Sequence, residues 1–149
     1  MGIIYTEETP NALDLFTLYE TEQWNDFLHL TKESLHQAIS NSWYVISAYE
    51  QSKLVGTGRL ISDGITVALV SGLIVDPDYR RRGIGKNMIN KMVTKCRECK
   101  LAIQLFTTDE NMEYYKNLGF RTFANGLIYI TINQHKQIQG DVFDGRNKV

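Results

Sequence analysis

The stretch "ITVALVSGLIVDPDYRRRGIGKN", residues 65–87, decides the fold. It opens on a near-continuous apolar run, which predicts a strand in the middle of a sheet with both of its faces covered. Gly72 interrupts the run and predicts either a bulge or the close approach of another backbone. From Gly83 onward the pattern becomes helical. The strand therefore passes into a helix through a turn that is rich in arginine and glycine.

That turn has the features of an anion-binding site. Arg80–Arg82 stand side by side and Lys86 follows, although the whole chain carries a net charge of only −1. A helix N-terminus offers unpaired N–H groups and a partial positive charge, worth about 0.3 to 1 kcal/mol to a nearby anion. Gly83 and Gly85 leave the backbone accessible to a ligand. We predict a phosphate or pyrophosphate cradle in which the arginines offset the charge of the ligand.

Two common phosphate-binding fingerprints do not fit this turn. The Walker pattern G-x-x-x-x-G-K-[ST] fails, because its first glycine would fall at Arg80 and its last position is Asn87. The dinucleotide pattern G-x-G-x-x-G fails because its third glycine would be Met88. The remaining motif is R-x-x-G-x-G, from Arg80 to Gly85.

The flanking sequence predicts an α/β (α+β) chain forming a single domain over residues 1–149. On the N-terminal side it predicts a short strand, two helices that start near Pro10 and at the N-cap Thr31, and a hairpin of "SWYVISAYE" and "KLVGTGRLIS". On the C-terminal side it predicts a strand "LAIQLF", a helix "NMEYYKNL" capped by Gly119, and closing strands "FRTF" and "LIYITI". Residues 133–149 read as a polar tail.

About 30 residues after the arginine-glycine motif comes "YYKNLGF", from Tyr114 to Phe120. The two segments together resemble the GNAT superfamily of acetyl-CoA-dependent N-acetyltransferases. The arginine-glycine motif is similar to the acetyl-CoA-binding motif of that family, and "YYKNLGF" is similar to its [FL]-Y-x-x-x-G-F segment. Their order, their spacing and the intervening strand "LAIQLF" are also similar to that family. The resemblance covers about residues 2–132. It implies the GNAT fold, a mixed and mostly antiparallel central sheet with splayed central strands, flanked by helices.

The resemblance also implies where acetyl-CoA binds as co-substrate. The backbone of the strand would pair with the pantetheine arm, and the loop would bind the pyrophosphate. These positions are Leu73, Ile74, Val75, Arg80, Arg81, Arg82, Gly83, Ile84, Gly85 and Lys86. The strand must then splay from "LAIQLF" to admit the arm, which agrees with an irregularity at Gly72.

The resemblance implies that Tyr115 is the catalytic general acid, which protonates the departing CoA thiolate. Many relatives carry an asparagine seven residues before this tyrosine, where this chain has Thr108. Asn111 could substitute for it near the pantetheine, or it could cap the short helix. Tyr114 is interpreted as a residue that fills the core.

This chain departs from its relatives at the general base. The strand glutamate of histone-type members would align near Leu69, which cannot accept a proton. Ser71 is a weak substitute, and three carboxylates remain open as candidates: Asp63, Glu22 and Asp76.

The acceptor is predicted to be a small primary amine rather than a protein, because the segment between the first strand and "SWYVIS" is short. Candidate residues in the wall of the acceptor cleft are Trp24, Asp63, Tyr44 and Arg59.

Composition limits the other classes of function. The near-neutral charge argues against nucleic-acid binding, and no apolar run approaches the roughly 18 to 20 residues of a membrane span. The start of the sequence has no signal-peptide pattern, and Cys96 and Cys99 read as reduced, buried or half-buried thiols rather than as a metal site. We expect a cytoplasmic enzyme that uses no metal and that could form a homodimer.

Two alternatives stay open at this point. One is a CoA-binding regulatory or sensor domain that has lost turnover, which the missing strand carboxylate would favour. The other is a nucleotide-binding module unrelated to GNAT proteins.

Overall fold

The computed structural model describes residues 2–129 and contains a five-stranded mixed sheet of order β1-β2-β3-β4-β5. The pairs β1–β2, β2–β3 and β3–β4 are antiparallel, and β5 runs parallel to β4. The strands are β1 (Ile3–Thr6), β2 (Tyr44–Glu50), β3 (Lys53–Ser62), β4 (Val67–Val75) and β5 (Ala102–Gln104).

Helices precede, follow and cover this sheet: α1 (Ala12–Glu20), α2 (Asn25–Leu28), α3 (Lys32–Ser40), α4 (Ile84–Glu98) and α5 (Asp109–Asn117). A short 3-10 turn (Pro77–Tyr79) joins β4 to α4. The N-cap of α3 is Thr31, whose hydroxyl accepts the N–H of Ser34, as the sequence predicts. The N-cap of α1 is Asn11, one residue beyond Pro10.

Two apolar clusters fix the helices on opposite faces of the sheet. The α4 face is filled by residues such as Ile46, Leu60, Leu73, Met88 and Met92. The face covered by α1 and α3 includes Leu15, Leu18, Ile39, Val45 and Ile74. Adjacent residues of β4 thus enter different clusters, so that strand is covered on both faces as predicted.

The pairing of β4 with β5 ends early. Val67, Ala68 and Leu69 pair with the three residues of β5, and the part of β4 that continues to Val75 has no pairing with β5. The splayed central strands of the expected fold are therefore confirmed. The gap between them leads toward the arginine-glycine turn.

Gly72 forms the predicted bulge. The register of β3 with β4 shifts between Thr57 and Arg59, opposite Gly72, whose φ is +63°. The Tyr19 hydroxyl donates to the Gly72 carbonyl at 3.0 Å, and a Cβ on Gly72 would lie 2.5 Å from that hydroxyl oxygen. The close approach is therefore made by a side chain of α1, where the sequence had suggested another backbone.

The predicted closing strands are wrong within the described residues. No strand is present at residues 120–123 or 127–129, while residues 130–132 and the tail 133–149 lie outside the described residues. The apolar composition of the segment suits a strand, but a strand also requires a partner. Phe120 instead makes an edge-to-face contact with Tyr115, at 5.9 Å between ring centroids.

Three further findings concern the cysteines, a membrane span and a metal cluster. Cys96 is buried in α4, but Cys99 is exposed at the C-cap, so only one thiol matches the prediction of burial. Within residues 2–129 no helix has the length and apolar character needed to cross a membrane. The same residues contain no cluster of three or more potential metal-binding side chains.

Candidate active site

The turn from β4 to α4 forms a cleft of about 450 Å³. Gly83 is the N-cap of α4 with φ +77°, and a Cβ there would meet nothing within 4 Å. Because α4 begins at Ile84, the N–H groups of its first turn have no partner within the helix. The cleft is lined by Val75, Tyr79, Arg80, Arg81, Gly83, Ile84, Gly85, Lys86 and Tyr114. This combination of basic side chains and open backbone N–H groups suits an oxyanion ligand.

Two of the three arginines already have carboxylate partners. Arg80 pairs with Glu22, and Arg82 lies 2.5 Å from a carboxylate oxygen of Glu50. The hydrogen bond from Arg82 holds the pKa of Glu50 below its ordinary value. Arg81 is exposed, and no carboxylate pairs with it among residues 2–129. Of the three arginines, Arg81 is thus the one that could bind an anion without breaking an ion pair within the protein.

At the end of β4, the backbone groups of Val75 and Asp76 point to opposite sides of the strand. The N–H of Asp76 donates to Val55 on β3 at 2.9 Å. The carbonyl of Val75 belongs to the same planar peptide and points the opposite way, away from β3. The Nε of Arg80 donates to that carbonyl at 3.1 Å. The Val75 carbonyl therefore lies on the edge of β4 that faces away from β3, where an arginine side chain, and not a strand, donates to it.

The two adjacent tyrosines of α5 line two separate cavities. Tyr115 is buried and borders a cavity of about 180 Å³ beside the end of β5, together with Gln104, Phe106 and Phe120. Tyr114 contacts it edge to face at 5.2 Å and lines the arginine-glycine cleft. Burial raises the pKa of Tyr114. The interpretation of Tyr114 as core filling is therefore incomplete, because part of its ring forms the cleft wall.

The three candidate carboxylates are all engaged. Asp63 accepts the N–H groups of Thr66 and Ile65 at 2.8 Å each, and these bonds lower its pKa. It closes the turn between β3 and β4, at the opposite end of β4 from Val75. Asp76 forms an ion pair of 2.9 Å with Lys53. Since Glu22 pairs with Arg80, none of the three is left as an isolated base.

Trp24 lies against the bulge. Its ring centroid is 4.9 Å from that of Tyr19, and its edge is 3.6 Å from the position that a Cβ on Gly72 would occupy. It is buried, so it contributes to the wall beside β4 more through packing than through an open surface. Burial also raises the pKa of Tyr19.

Asn111 lies in the first turn of α5. Thr108 is the N-cap of this helix, and the N–H of Asn111 donates to its carbonyl at 3.1 Å. The capping position thus belongs to Thr108.

Sequence reasoning missed Glu22 as the partner of Arg80 and Tyr114 as a cleft residue. The ion pair joins residues far apart in the chain, so no local pattern could reveal it. A signal for Tyr114 did exist, because neighbouring residues of a helix point in directions about 100° apart. Two tyrosines in succession must therefore face different surroundings.

Comparison with known proteins assigns this chain to a family. The model described as "Acetyltransferase (GNAT) domain" matches residues 6–128. An uncharacterised N-acetyltransferase of Pyropia yezoensis is 33% identical over 118 residues, a match covering 74% of this chain and 68% of the relative. A histone acetyltransferase of Glycine max is 31% identical over 105 residues, covering 62% of this chain and 46% of the relative. This chain therefore matches less than half of the latter protein.

A solved structure agrees with these sequence matches. A GNAT-family acetyltransferase from Streptococcus pneumoniae superposes with a TM-score of 0.72 at 30% identity. That superposition covers 88% of this chain and 99% of the other.

Proposed function

The chain belongs to the GNAT family of acetyltransferases, and from this premise we propose that it transfers the acetyl group of acetyl-CoA to a primary amine of a small molecule. The observation that carries the proposal is the gap between β4 and β5, which leads into the arginine-glycine cleft. The alternative of a nucleotide-binding module outside this family is wrong, because the family match spans most of the chain.

We place acetyl-CoA along this gap. The pantetheine arm pairs with the edge of β4 at Leu73, Ile74 and Val75, with Asn111 nearby on α5. The pyrophosphate lies in the arginine-glycine cleft. The basic side chains of Arg80, Arg81, Arg82 and Lys86 offset its charge, and Gly83, Ile84 and Gly85 contribute backbone N–H groups. The support is the orientation of the Val75 carbonyl, the open space at Gly83 and the exposed cation of Arg81.

In the reaction that we propose, the amine attacks the thioester directly. The lone pair of the amine nitrogen forms the new C–N bond, and the C–S bond breaks. A backbone N–H of β4, at Leu73 or Val75, polarises the carbonyl oxygen. The hydroxyl of Tyr115 gives its proton to the departing thiolate. Tyr115 lies beside the end of β5, the strand that borders the gap in which we place the pantetheine arm, and this supports the role.

The attacking nitrogen must also lose a proton. Because Asp63, Glu22 and Asp76 already have partners, we assign this proton to solvent water rather than to any of these carboxylates. An amine with a pKa of about 10.4 is mostly protonated at neutral pH, so kcat/KM should rise with pH toward that value.

A small acceptor is favoured by the tight packing of the N-terminal helices on the sheet, where Tyr19 and Trp24 are buried over the bulge. The relative from Glycine max is named a histone acetyltransferase, so a protein amine is the competing acceptor class. Cytoplasmic localisation and a homodimer remain predictions; one relative, from Arabidopsis thaliana, is named chloroplastic.

The test is release of the CoA thiol over a panel of small amines and a lysine-containing histone peptide. We expect turnover with small amines. We also expect Tyr115→Phe to lower kcat by about 100-fold or more, as the loss of a general acid does, while CoA affinity stays unchanged. Tyr114→Phe is the matched control, since it removes the neighbouring hydroxyl and should leave kcat within a few-fold.

Acetyl-CoA that binds without thiol release for any amine would favour the sensor-domain alternative. Faster turnover of the peptide than of every small amine would overturn the acceptor class. Equal kcat values for Tyr115→Phe and the unsubstituted protein would remove Tyr115 from the mechanism.

A further inference from the structure

Arg59 is a half-buried cation without a carboxylate partner among residues 2–129. It lies on β3, and its Nη1 donates to the carbonyl of Ala38 on α3 at 2.9 Å. Its Nε is buried and has no hydrogen-bond acceptor within the described part of the chain. Arg80 and Arg82, by contrast, are both paired with glutamates.

This arrangement is costly for a purely structural residue. An unsatisfied buried donor costs about 1 to 3 kcal/mol, and more when the group is charged. Removing a guanidinium from water without a counter-charge adds a desolvation penalty. An anion that binds to the solvent-accessible part of the Arg59 guanidinium would supply the missing charge.

The position of Arg59 links it to the acceptor side of the sheet. It pairs with Ser71 across the β3–β4 ladder, immediately before the Gly72 bulge. Directly opposite residues of such a pair have Cβ atoms about 4.5 to 5.5 Å apart. Ile61 lies two residues along β3 and is 45% exposed, so α3 leaves this part of the face open to solvent.

The charge of Arg59 also acts on a side chain at the bulge. The pKa of Tyr19 is raised by burial, and the positive charge of Arg59 acts in the opposite direction. The Tyr19 hydroxyl is the group that donates to the Gly72 carbonyl. The guanidinium therefore acts on the same point of β4 that Trp24 covers.

We propose that Arg59 binds an oxyanion of the acceptor, so that the acceptor is an amine which also carries a carboxylate or a phosphate. This rests on the proposed function in one respect, that the acceptor is an amine. Neighbouring strands lie about 4.7 to 4.9 Å apart, so an anion at β3 and an amine at the gap beyond β4 are about 5 to 10 Å apart across the strands, to which any offset along the strands adds. The planar guanidinium suits both kinds of oxyanion.

The first experiment compares matched acceptors. Each pair holds one amine bearing a carboxylate or a phosphate, and the same amine with that group esterified or absent. We expect the anionic member to be preferred by about 10-fold or more in kcat/KM, mainly through KM, and Arg59→Gln to abolish the preference. Arg59→Lys should keep part of it. Arg97→Gln, at an exposed position of α4, removes the same charge elsewhere and should leave the preference intact.

The second experiment does not depend on turnover. The CoA-bound protein is titrated with the N-acetylated forms of the same compounds, which cannot react, and binding is followed by tryptophan fluorescence. Preferential binding of the anionic forms that is lost in Arg59→Gln supports the inference. If these forms bind selectively but no amine releases CoA, the anion site stands and the proposed function fails. Equal binding of both forms, or selectivity that persists in Arg59→Gln, overturns the anion site.

Thermal denaturation tests the structural explanation. Arg59→Met removes a desolvated charge, so we expect its midpoint to stay the same or rise. A large fall in the midpoint, together with unchanged acceptor discrimination in Arg59→Gln, would assign Arg59 to stability and overturn the proposal.

Discussion

Gly83 is suited to its position both by its backbone conformation and by its lack of a side chain. Its φ of +77° favours glycine, and it leaves the space in front of the α4 N-terminus open. A residue with a side chain would pay a conformational cost of about 1 to 2 kcal/mol there. The same side chain would also enter the volume where we place the pyrophosphate.

We therefore predict that Gly83→Glu weakens CoA binding by about 100-fold or more, since bringing like charges together costs several kcal/mol. Gly83→Gln is the matched control, because it has the same backbone strain and nearly the same volume without the charge. Calorimetric titration with CoA measures both, and thermal denaturation should show similar midpoints. Unchanged affinity in Gly83→Glu would place the pyrophosphate elsewhere.

At the scale of residues, features set by neighbours in the chain could be predicted from the sequence, and contacts between distant residues could not. The glycines and arginines of the turn could be recognised from their spacing, because their neighbours are local. The partner of Arg80 could not, because Glu22 reaches it only once α1 has packed on the sheet. Asp63 as a substrate residue stays a prediction, while its hydrogen bonds to Ile65 and Thr66 are local enough to anticipate from the sequence.

The bulge in β4 couples that strand to α1. Gly72 needs a positive φ, and it also provides room for the Tyr19 hydroxyl, which donates to its carbonyl. Leu73 and Ile74, directly after the bulge, enter opposite apolar clusters. The bulge therefore sets which residues of β4 face α4 and which face α1.

Gly72→Ala should lower the free energy of unfolding by more than the 1 to 2 kcal/mol or so expected from the backbone alone, because its Cβ would also collide with the Tyr19 hydroxyl. Tyr19→Phe alone loses one hydrogen bond, worth about 0.5 to 1.5 kcal/mol. In the double variant the collision is relieved, so the combined loss should be smaller than the sum of the two. Urea denaturation of all four proteins gives this comparison, and strict additivity would contradict the contact.

Strands and helices with a clear hydrophobic periodicity could be predicted from the sequence. A strand that would need a distant pairing partner could not. The strands β2, β3 and β4 and the helix α4 match their predicted segments closely. The segment "FRTF" has the composition of a strand, but in the structure its Phe120 packs on Tyr115. The splay of β4 from β5 was inferred from the family resemblance, since composition alone says nothing about where a ladder ends.

The stability of the whole molecule should depend on pH through its carboxylates. The hydrogen bonds from Thr66 and Ile65 keep the pKa of Asp63 below its ordinary value of 3.8 in the folded state. A group with a depressed folded pKa contributes stability that is fully present above its unfolded pKa and is lost as the pH falls through the folded value. The hydrogen bond from Arg82 likewise lowers the pKa of Glu50, so the stability that Glu50 contributes is also lost as the pH falls.

We predict that Asp63→Asn is less stable than the unsubstituted protein at pH 7, and that this difference shrinks as the pH falls below about 4. Thermal midpoints measured between pH 3 and pH 7 test the expectation. A difference that stays constant over this range would show that the charge of Asp63 contributes nothing and that only its shape matters.

The ladder between β4 and β5 stops at Leu69, well before β4 ends at Val75. A ligand arm that pairs along the remaining edge becomes, in effect, one more strand of the sheet. Binding then belongs to the same cooperative process as folding, and ligand concentration raises the thermal midpoint by mass action. Amide hydrogen exchange along the end of β4 should accordingly slow when the ligand is present. Acetyl-CoA would then be a reactant and also a part of the sheet that leaves when the ligand dissociates.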